Sequence, residues 1–308
     1  MDKRIIAAAA LIFLLTGCSE REYIDVDEIE TKGPETSAAQ DDSGDESEKE
    51  PMLIGSFGVD PENIIYNGEI HGERPTNEEA AQLVSLALEQ YRAAQDQDAQ
   101  GYIDSLSLAS VAEPLADMTG RIADAGDDWR EVTEKDGSYN VLSSVSYLLY
   151  ALSGEDFEWT GDRDAYIEAA RSAAQGIKAD SEVTQAALKS TLYGHADGDG
   201  FPKDSCSEDI CWIELDSLYR SGDDIYIKFD MGVLDEDTNY IFDDIVGWRT
   251  GGQWGIYVKG TYNEENPYKG YDAEKIRSIV SQAEESRRAG RSAEKVGVVS
   301  EAQSDTSE

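Results

Sequence analysis

The spacing of the apolar residues changes once along this chain, near Ile210, and that change limits the folds available to it. Before Ile210, apolar residues recur every three or four positions, which is typical of amphipathic helices. From Ile210 onward they alternate with polar residues, which is typical of strands with one buried face. Helices followed by strands favour segregated layers, so the sequence predicts an α+β domain in which a sheet packs on helices.

The helical half begins at a clear start signal. In Thr76-Asn77-Glu78-Glu79, the threonine hydroxyl and the last carboxylate can each bind an otherwise unpaired backbone N–H, which is the pattern of a capping box. A second helical segment begins near Gly101 and is expected to stop before Pro114, with acidic loops around Asp127 and Glu155. Further helices are predicted over 139–152, ending at Gly154, over 164–175, over 181–193 and, after the sheet, over 271–288.

Three short polar turns divide the alternating half into four strands. The turns are Ser221-Gly222-Asp223-Asp224, Asp235-Glu236-Asp237-Thr238 and Gly251-Gly252. Because such short connections place consecutive strands side by side, the sequence predicts a four-stranded antiparallel meander over residues 208–262 and no parallel pairing. In the first strand, one face is expected to carry Cys211, Ile213, Leu215, Ser217 and Tyr219.

The charge of the chain restricts its partners. Its 308 residues include 26 basic and 65 acidic side chains, for a formal net charge of -39. Nucleic-acid phosphates and anionic lipid headgroups repel such a chain, so nucleic-acid binding is set aside as a function. Solubility or a salty habitat explains the acidic surface more simply than a cationic partner does.

Residues 1–18 indicate where the protein is located. The charged start Asp2-Lys3-Arg4 precedes an uncharged stretch over residues 5–15, which is too short to span a bilayer core that needs about 20 apolar residues. The next residues, Leu15-Thr16-Gly17-Cys18, resemble the lipobox of bacterial lipoproteins. The resemblance implies a signal peptide at 1–17, a diacylglycerol on the Cys18 thiol, and anchorage to the extracytoplasmic face of the cell membrane. The alternatives are an ordinary secretory signal with a chance cysteine, and an uncleaved anchor.

The segment after Cys18 is strongly acidic. Residues 19–50 hold thirteen Asp or Glu and three Lys or Arg. Because such a segment buries little apolar surface and repels itself, residues 18–50 are expected to form a disordered, lipidated tether. An edge strand over Tyr23–Ile29 is the alternative. An irregular lead-in is expected over 51–75, followed by the domain at 76–288 and a disordered tail at 289–308.

Two parts of the domain resemble a known fold. One is the capped helix that leads through a polar turn into a second short helix, over residues 89–108. The other is the closing hairpin from Trp248 to Tyr257, with Gly251-Gly252 at its tip. Together they resemble the cone-shaped, cystatin-related fold of the nuclear transport factor two family, over residues 76–112 and 208–262. The helical stretch 128–195 exceeds that pattern and is expected to be an insertion or a separate helical subdomain.

The resemblance also implies where a catalytic site would be. Isomerases and dehydratases of the cone fold work with a buried Asp or His and a Tyr at the pocket mouth. By this resemblance the candidates are Asp230, Asp243 and Asp244 with Tyr226 or Tyr240. The chain carries none of the common nucleophile, phosphate-loop or zinc-protease motifs.

Cysteine and acidic residues offer few metal sites. Cys206 and Cys211 are expected to form a disulfide, because dithiols of exported proteins tend to be oxidised. A zinc site on this pair could draw only on His71 and His195, which do not complete four ligands. Acidic runs starting at Asp197 and Asp235 resemble calcium loops but lack the glycine that an EF-hand requires, although weak calcium binding stays open for the first. No metal or cofactor is predicted.

The sequence therefore predicts a membrane-anchored extracytoplasmic lipoprotein that acts as a binding or interaction module. Its partners are the membrane, through the lipid on Cys18, and an envelope protein or ligand that the sequence does not identify. The alternatives are a pocket enzyme of the isomerase or dehydratase type and the solute-binding receptor of an importer.

Overall fold

The computed structural model describes residues 52–54, 57–68, 73–135, 137–155, 157–192, 206–283, 285, 286 and 289. The predictions for the signal peptide, Cys18, the tether, the strand at 23–29, both histidines, the loop starting at Asp197 and the tail beyond 289 lie outside these residues. The predicted combination of helices with a mostly antiparallel sheet is confirmed.

Most helices precede the long strands. Their bounds are α1 Asn77–Gln95, α2 Ala99–Leu106, α3 Ala112–Ala125, α4 Trp129–Lys135, α5 Ser138–Ser153, α6 Arg163–Gln175 and α7 Glu182–Thr191. A further helix, α8, covers residues 273–283 after the sheet. Within the described ranges, no helix combines the length and the apolar composition needed to cross a membrane.

The predicted helix signals are present in the structure. The hydroxyl of Thr76 accepts the N–H of Glu79, and the Glu79 carboxylate accepts the N–H of Thr76, so the capping box of α1 is complete. Gly154 follows α5 in the left-handed conformation, with φ of 66°, as predicted for the residue after a helix.

The prediction that the second helical segment stops before Pro114 misses α3. Pro114 lies in the first turn of α3, which continues to Ala125. A proline is tolerated there because the N–H groups of a first helical turn have no partner within the helix. Gly126, Asp127 and Asp128 form a short 3-10 turn between α3 and α4.

Within the described residues, the main sheet has six strands. The strands described are β1 Met52–Ile54, β2 Phe57–Val59, β3 Ile64–Tyr66, β4 Ile210–Ser221, β5 Asp224–Leu234, β6 Thr238–Thr250, β7 Gln253–Tyr257 and β8 Gly260–Glu265. In the main sheet the order is β3-β4-β5-β6-β7, and β8 also pairs with β6. β7 binds the last five residues of β6 and β8 binds its first six, so the two short strands share one edge. A separate hairpin joins β1 to β2.

The four-stranded meander is therefore an incomplete description of the sheet, and the exclusion of parallel pairing is wrong. β3 runs parallel to β4, with Ile64 opposite Cys211 and Tyr66 opposite Ile213. A parallel neighbour needs a long crossover, which the helical half supplies. The described part of residues 51–75, expected to be an irregular lead-in, thus contains three short strands.

Two bulges change which side chains share a face. The register shifts between Leu215 and Ser217, and again between Phe229 and Met231. An extra residue in one strand reverses the alternation beyond it. Consequently Leu218 packs with the cluster under α1, while Tyr219 packs with the helices on the opposite face. The prediction that Tyr219 shares the face of Cys211 is therefore wrong.

The sheet is covered on both faces. The apolar stripe of α1, including Leu83, Leu88 and Tyr91, packs on one face of the sheet with Ile227 and Phe229. On the other face, one cluster joins the helical layer to Tyr226, Val246 and Trp248. A separate cluster there joins α8 to Ile65, Trp212 and Ile241.

Candidate functional site

A cleft of about 680 Å³ opens between the helical layer and the tips of two hairpins. Its sheet side is formed by the β4–β5 turn and the β6–β7 turn, and its helical side by α3, α6 and the start of α5. Its volume lies in the range of about 300–1,000 Å³ that is usual for small-molecule sites. The cleft is therefore the candidate binding site.

The two turns on the sheet side hold each other in place. Arg249 Nε donates to the backbone oxygen of Asp223 at 2.9 Å, and the N–H of Gly251 donates to Asp224 Oδ1 at 3.2 Å. Gly251 and Gly252 have φ of 57° and 78°, which a two-residue hairpin turn of this hand requires. Because each hairpin tip binds the other, this wall keeps its shape without a ligand.

Ion pairs order the helical side. Arg163 binds Asp117 with two hydrogen bonds of 2.6 and 3.2 Å, and Arg171 binds Glu113 at 2.6 Å. These pairs join α6 to α3. They lie largely in solvent, where such pairs add little to stability, so their main effect is to neutralise the carboxylates of the wall.

Two tyrosines lie on the sheet side of the cleft. The rings of Tyr219 and Tyr226 are 6.1 Å apart between centroids, with 33° between their planes. Tyr226 is buried, and burial raises its pKa above the ordinary value, so its phenol stays protonated at neutral pH. Thr250 donates to the Tyr226 oxygen at 3.4 Å. Tyr219 is only half-buried and so offers part of its side chain to the cleft.

A second polar centre lies where the bulge interrupts β6. Asp244 has φ of 53°, and its N–H donates to Asp230 Oδ1 at 2.6 Å. Its carboxylate binds Lys259 at 2.5 Å and Lys228 at 3.0 Å. Burial alone would raise the pKa of Asp244, but the hydrogen bonds from Lys259 and Lys228 outweigh it and lower that pKa. This carboxylate is therefore an ionised partner of two lysines at neutral pH.

The structure places the two tyrosines that the family resemblance assigns to one catalytic site in different parts of the domain. Tyr226 lines the cleft, whereas Tyr240 is buried in the cluster under α1. Asp230 follows Tyr226 by four residues on the same strand, a distance of about 13 Å. Asp244, bound to two lysines, is not among the residues that line the cleft. The described residues thus do not bring an aspartate of the bulge and a tyrosine together in the cleft.

The cysteines and the second acidic loop lie away from the cleft. Cys206 and Cys211 are both buried in the cluster under α1, and the N–H of Cys206 donates to Gly58 of β2 at 2.9 Å. Their disulfide stays a prediction. The run from Asp235 to Thr238 is a hairpin turn, in which Lys269 binds Asp237 at 2.6 Å. Among the described residues, no group of acidic, cysteine or histidine side chains could hold a metal ion.

The charged residues on the helical side of the cleft were not predicted from the sequence. Asp117, Arg121 and Arg171 belong to the solvent faces of α3 and α6, where charged residues are ordinary. A proline is typical of a first helical turn, so Pro114 is compatible with a helix such as α3. No sequence signal predicts how α3 aligns with α6.

No protein-family model, curated protein or solved structure matches this chain. The chemistry of the cleft therefore follows from its own side chains. They offer hydroxyl groups, paired carboxylates, guanidinium groups and an aromatic side chain, which suit hydrogen bonding and stacking.

Proposed function

We propose that the protein is a lipid-anchored extracytoplasmic lipoprotein whose folded part is a binding module. The observation that carries the anchor is the motif Leu15-Thr16-Gly17-Cys18, directly after an uncharged stretch of signal-peptide length. Cleavage before Cys18 leaves that residue at the new amino terminus, with a diacylglycerol on its sulfur. Two long acyl chains hold a protein firmly in one leaflet, since each buried CH₂ contributes about 0.8 kcal/mol.

The cleft supports the assignment as a binding module. Its hairpin wall is held by hydrogen bonds that need no ligand, and its size suits a small molecule or one end of a larger one. The acidic segment at 19–50 would space this cleft from the membrane by roughly 30 Å, the root-mean-square span of a flexible chain of that length. The ligand is a component of the cell envelope or its surroundings and is not a nucleic acid.

We further propose that the body is a modified member of the cone-shaped fold of the nuclear transport factor two family. In that assignment α1 and α2 are the family's opening helices, β4 to β7 form its meander, and α8 closes the domain. The packing of α1 across β5 and β6 supports it. The helices from α3 to α6 are then an addition to the family pattern, and they supply the second wall of the cleft.

Metabolic labelling tests the anchor. In the native host, labelled palmitate is expected to enter the wild-type chain, and Cys18→Ser is expected to abolish the label and release the protein from membranes. Cys206→Ser is the matched control, because it removes a different cysteine and should keep the label. Protease added to intact cells or spheroplasts should digest the body. Absence of label in the wild type, label retained in Cys18→Ser, or protection from protease would each overturn the proposal.

A further inference from the structure

The cleft is nearly balanced in charge although the chain is not. Its lining includes the carboxylates of Glu113, Asp117 and Asp224 and the guanidinium groups of Arg121 and Arg171. Arg163, beside the lining, binds Asp117, so Glu113 and Asp117 each have a guanidinium partner. Three negative and two positive groups give the lining a charge of -1, in a protein whose formal net charge is -39.

This balance selects against ionic ligands. A cation would compete with Arg171 for Glu113 and with Arg163 for Asp117, and an anion would compete with the same carboxylates for the arginines. At Glu113 and Asp117, either ligand would break a pair of hydrogen-bonded charges and leave one charge without its partner. The third carboxylate, Asp224, already accepts the N–H of Gly251. A neutral ligand can instead bind the lone pairs and N–H groups that each pair still presents.

Apart from the two tyrosines, the remaining polar side chains of the cleft are small and uncharged. They are the hydroxyls of Ser110, Ser138, Ser221 and Thr250 and the side-chain amide of Gln253. Hydroxyls and amides both donate and accept hydrogen bonds, so they match a ligand whose own groups do the same. A molecule with many hydroxyl groups has this property at every position.

The two tyrosines on the sheet side of the cleft also suit a carbohydrate. Tyr219 is half-buried at the cleft and packs on the buried Tyr226, which fixes its ring. An aromatic face is slightly negative and attracts the slightly positive hydrogens of a C–H group. A pyranose ring has hydroxyls at its edge and C–H groups on its faces, so it can stack on a tyrosine while its edge binds the polar wall.

From these features we infer that the cleft binds a neutral carbohydrate, with Tyr219 as the stacking residue and the paired side chains of α3 and α6 as hydrogen-bonding partners. This inference rests on the proposed function as a binding module. It adds the chemical class of the ligand, which the anchor does not determine.

The test uses the full chain with Cys18→Ser, which avoids detergent, titrated with three sets of probes. The sets are neutral oligosaccharides of glucose, galactose, mannose and N-acetylglucosamine, the polyamine spermidine, and the anions phosphate and citrate. A neutral oligosaccharide is expected to bind, with a Kd that changes less than about twofold between about 0.05 and about 0.5 M salt. Tyr219→Ala is expected to weaken that binding by at least about tenfold, because an aromatic contact at the centre of a site carries much of its affinity.

Two further variants distinguish a specific loss of binding from a loss of folding. Tyr147→Ala removes a half-buried tyrosine from α5 that does not line the cleft, and it should bind as the wild type does. Gln253→Ala changes an exposed turn residue of the cleft and should weaken binding several-fold without loss of stability.

The outcomes separate the two proposals. Binding of spermidine or an anion that Tyr219→Ala or Gln253→Ala weakens would overturn the carbohydrate inference and keep the cleft as a binding site. Oligosaccharide binding that neither variant changes would overturn the inference by placing the sugar elsewhere. Absence of binding by every probe would overturn the inference, while palmitate labelling would still decide the anchor independently.

Discussion

Glu79, in the first turn of α1, accepts two hydrogen bonds from the guanidinium group of Arg220 near the end of β4, both at 2.9 Å. The same carboxylate accepts the N–H of Thr76 at 3.0 Å and a hydrogen bond from Arg249 of β6 at 3.3 Å. The Glu79 side chain therefore caps α1 and joins it to β4 and β6, the two strands that lead into the turns of the cleft.

We expect Glu79→Ala to lower the free energy of unfolding by about 2–4 kcal/mol. The substitution removes a cap and leaves two half-buried guanidinium groups without this carboxylate, although Arg220 keeps Glu73 at 3.4 Å. Urea denaturation measures the change. Glu78→Ala, at the exposed neighbouring position, is the control and should cost less than about 0.5 kcal/mol. Equal effects of the two substitutions would contradict this role of Glu79.

Stability should fall in mild acid because of two carboxylates. Hydrogen bonds from the Arg220 guanidinium hold the pKa of Glu79 below its ordinary value of 4.5. The pKa of Asp244 is lowered below 3.8: its burial opposes this, but the bonds from Lys259 and Lys228 prevail. Since the unfolded chain takes up these protons first, the stability they contribute is complete above about pH 5 and is lost as the pH falls through the lower, folded pKa values.

The contribution of Glu79 can be isolated by comparing the wild type with Glu79→Gln across this pH range. The difference in unfolding free energy should be largest near about pH 7 and shrink toward about pH 3, where both side chains are neutral. A difference that stays constant with pH would show that the charge of Glu79 does not matter.

We expect Asp244→Asn to destabilise the protein by about 1–3 kcal/mol, because Lys228 and Lys259 lose a charged partner in a half-buried position. Asparagine tolerates the left-handed conformation of this residue, so the backbone of the bulge is kept. Asp216→Asn is the control: Asp216 is mostly exposed and 3.6 Å from Lys228, and its loss should be nearly neutral. Thermal or urea unfolding distinguishes the two, and a neutral Asp244→Asn would refute the prediction.

Gly232 lies opposite Trp212 in the β4–β5 pair, and the indole covers the glycine so closely that any Cβ there would overlap the ring. Gly232→Ala should therefore destabilise the protein by about 1–3 kcal/mol through overpacking. At Gly260 an added Cβ meets no atom within 4 Å, so Gly260→Ala is the matched control and should be close to neutral. Denaturant midpoints for both variants test the contrast, which fails if Gly232→Ala is as stable as the control.

When protein isolated from its native host is unfolded without reductant, Cys206 and Cys211 are expected to resist alkylation, and they are expected to react after reduction. Closing so small a loop would add about 2 kcal/mol to stability, so the loss caused by Cys206→Ser should be larger by about that amount under oxidising than under reducing conditions. Protein made in a reducing cytosol provides the comparison. Alkylation of both thiols without reductant would contradict the disulfide.

The correct sequence predictions concern features that depend on neighbours in the chain. The capping box of Thr76 and Glu79, the left-handed Gly154 and the turn at Gly251-Gly252 are each specified by hydrogen bonds or dihedral angles within a few residues. The apolar stripe of α1 follows from helical periodicity alone. Such local signals can be recognised without knowing which surface of the domain the segment packs against.

The wrong or missing predictions concern pairings between distant residues. The bulge beside Leu215 arises from the register of β4 against β5, and it moved Tyr219 to the face of the helical layer. The parallel pairing of β3 joins residues that nearly the whole helical half separates. The second bulge, in the pairing of β5 with β6, placed Asp244 between two lysines, away from the tyrosine of the cleft.

By itself, the sequence determined the change from a helical to a strand-rich half, the positions of several caps and turns, and the motif from which anchorage is proposed, because each depends on short-range chemistry. Only the tertiary structure decided which side chains line the cleft. Its walls come from segments about a hundred residues apart, and their alignment depends on strand register, on bulges and on pairs such as Arg163 with Asp117. Strand register, bulges and such pairs depend on packing over the whole domain, which cannot be inferred from the local periodicity of a sequence.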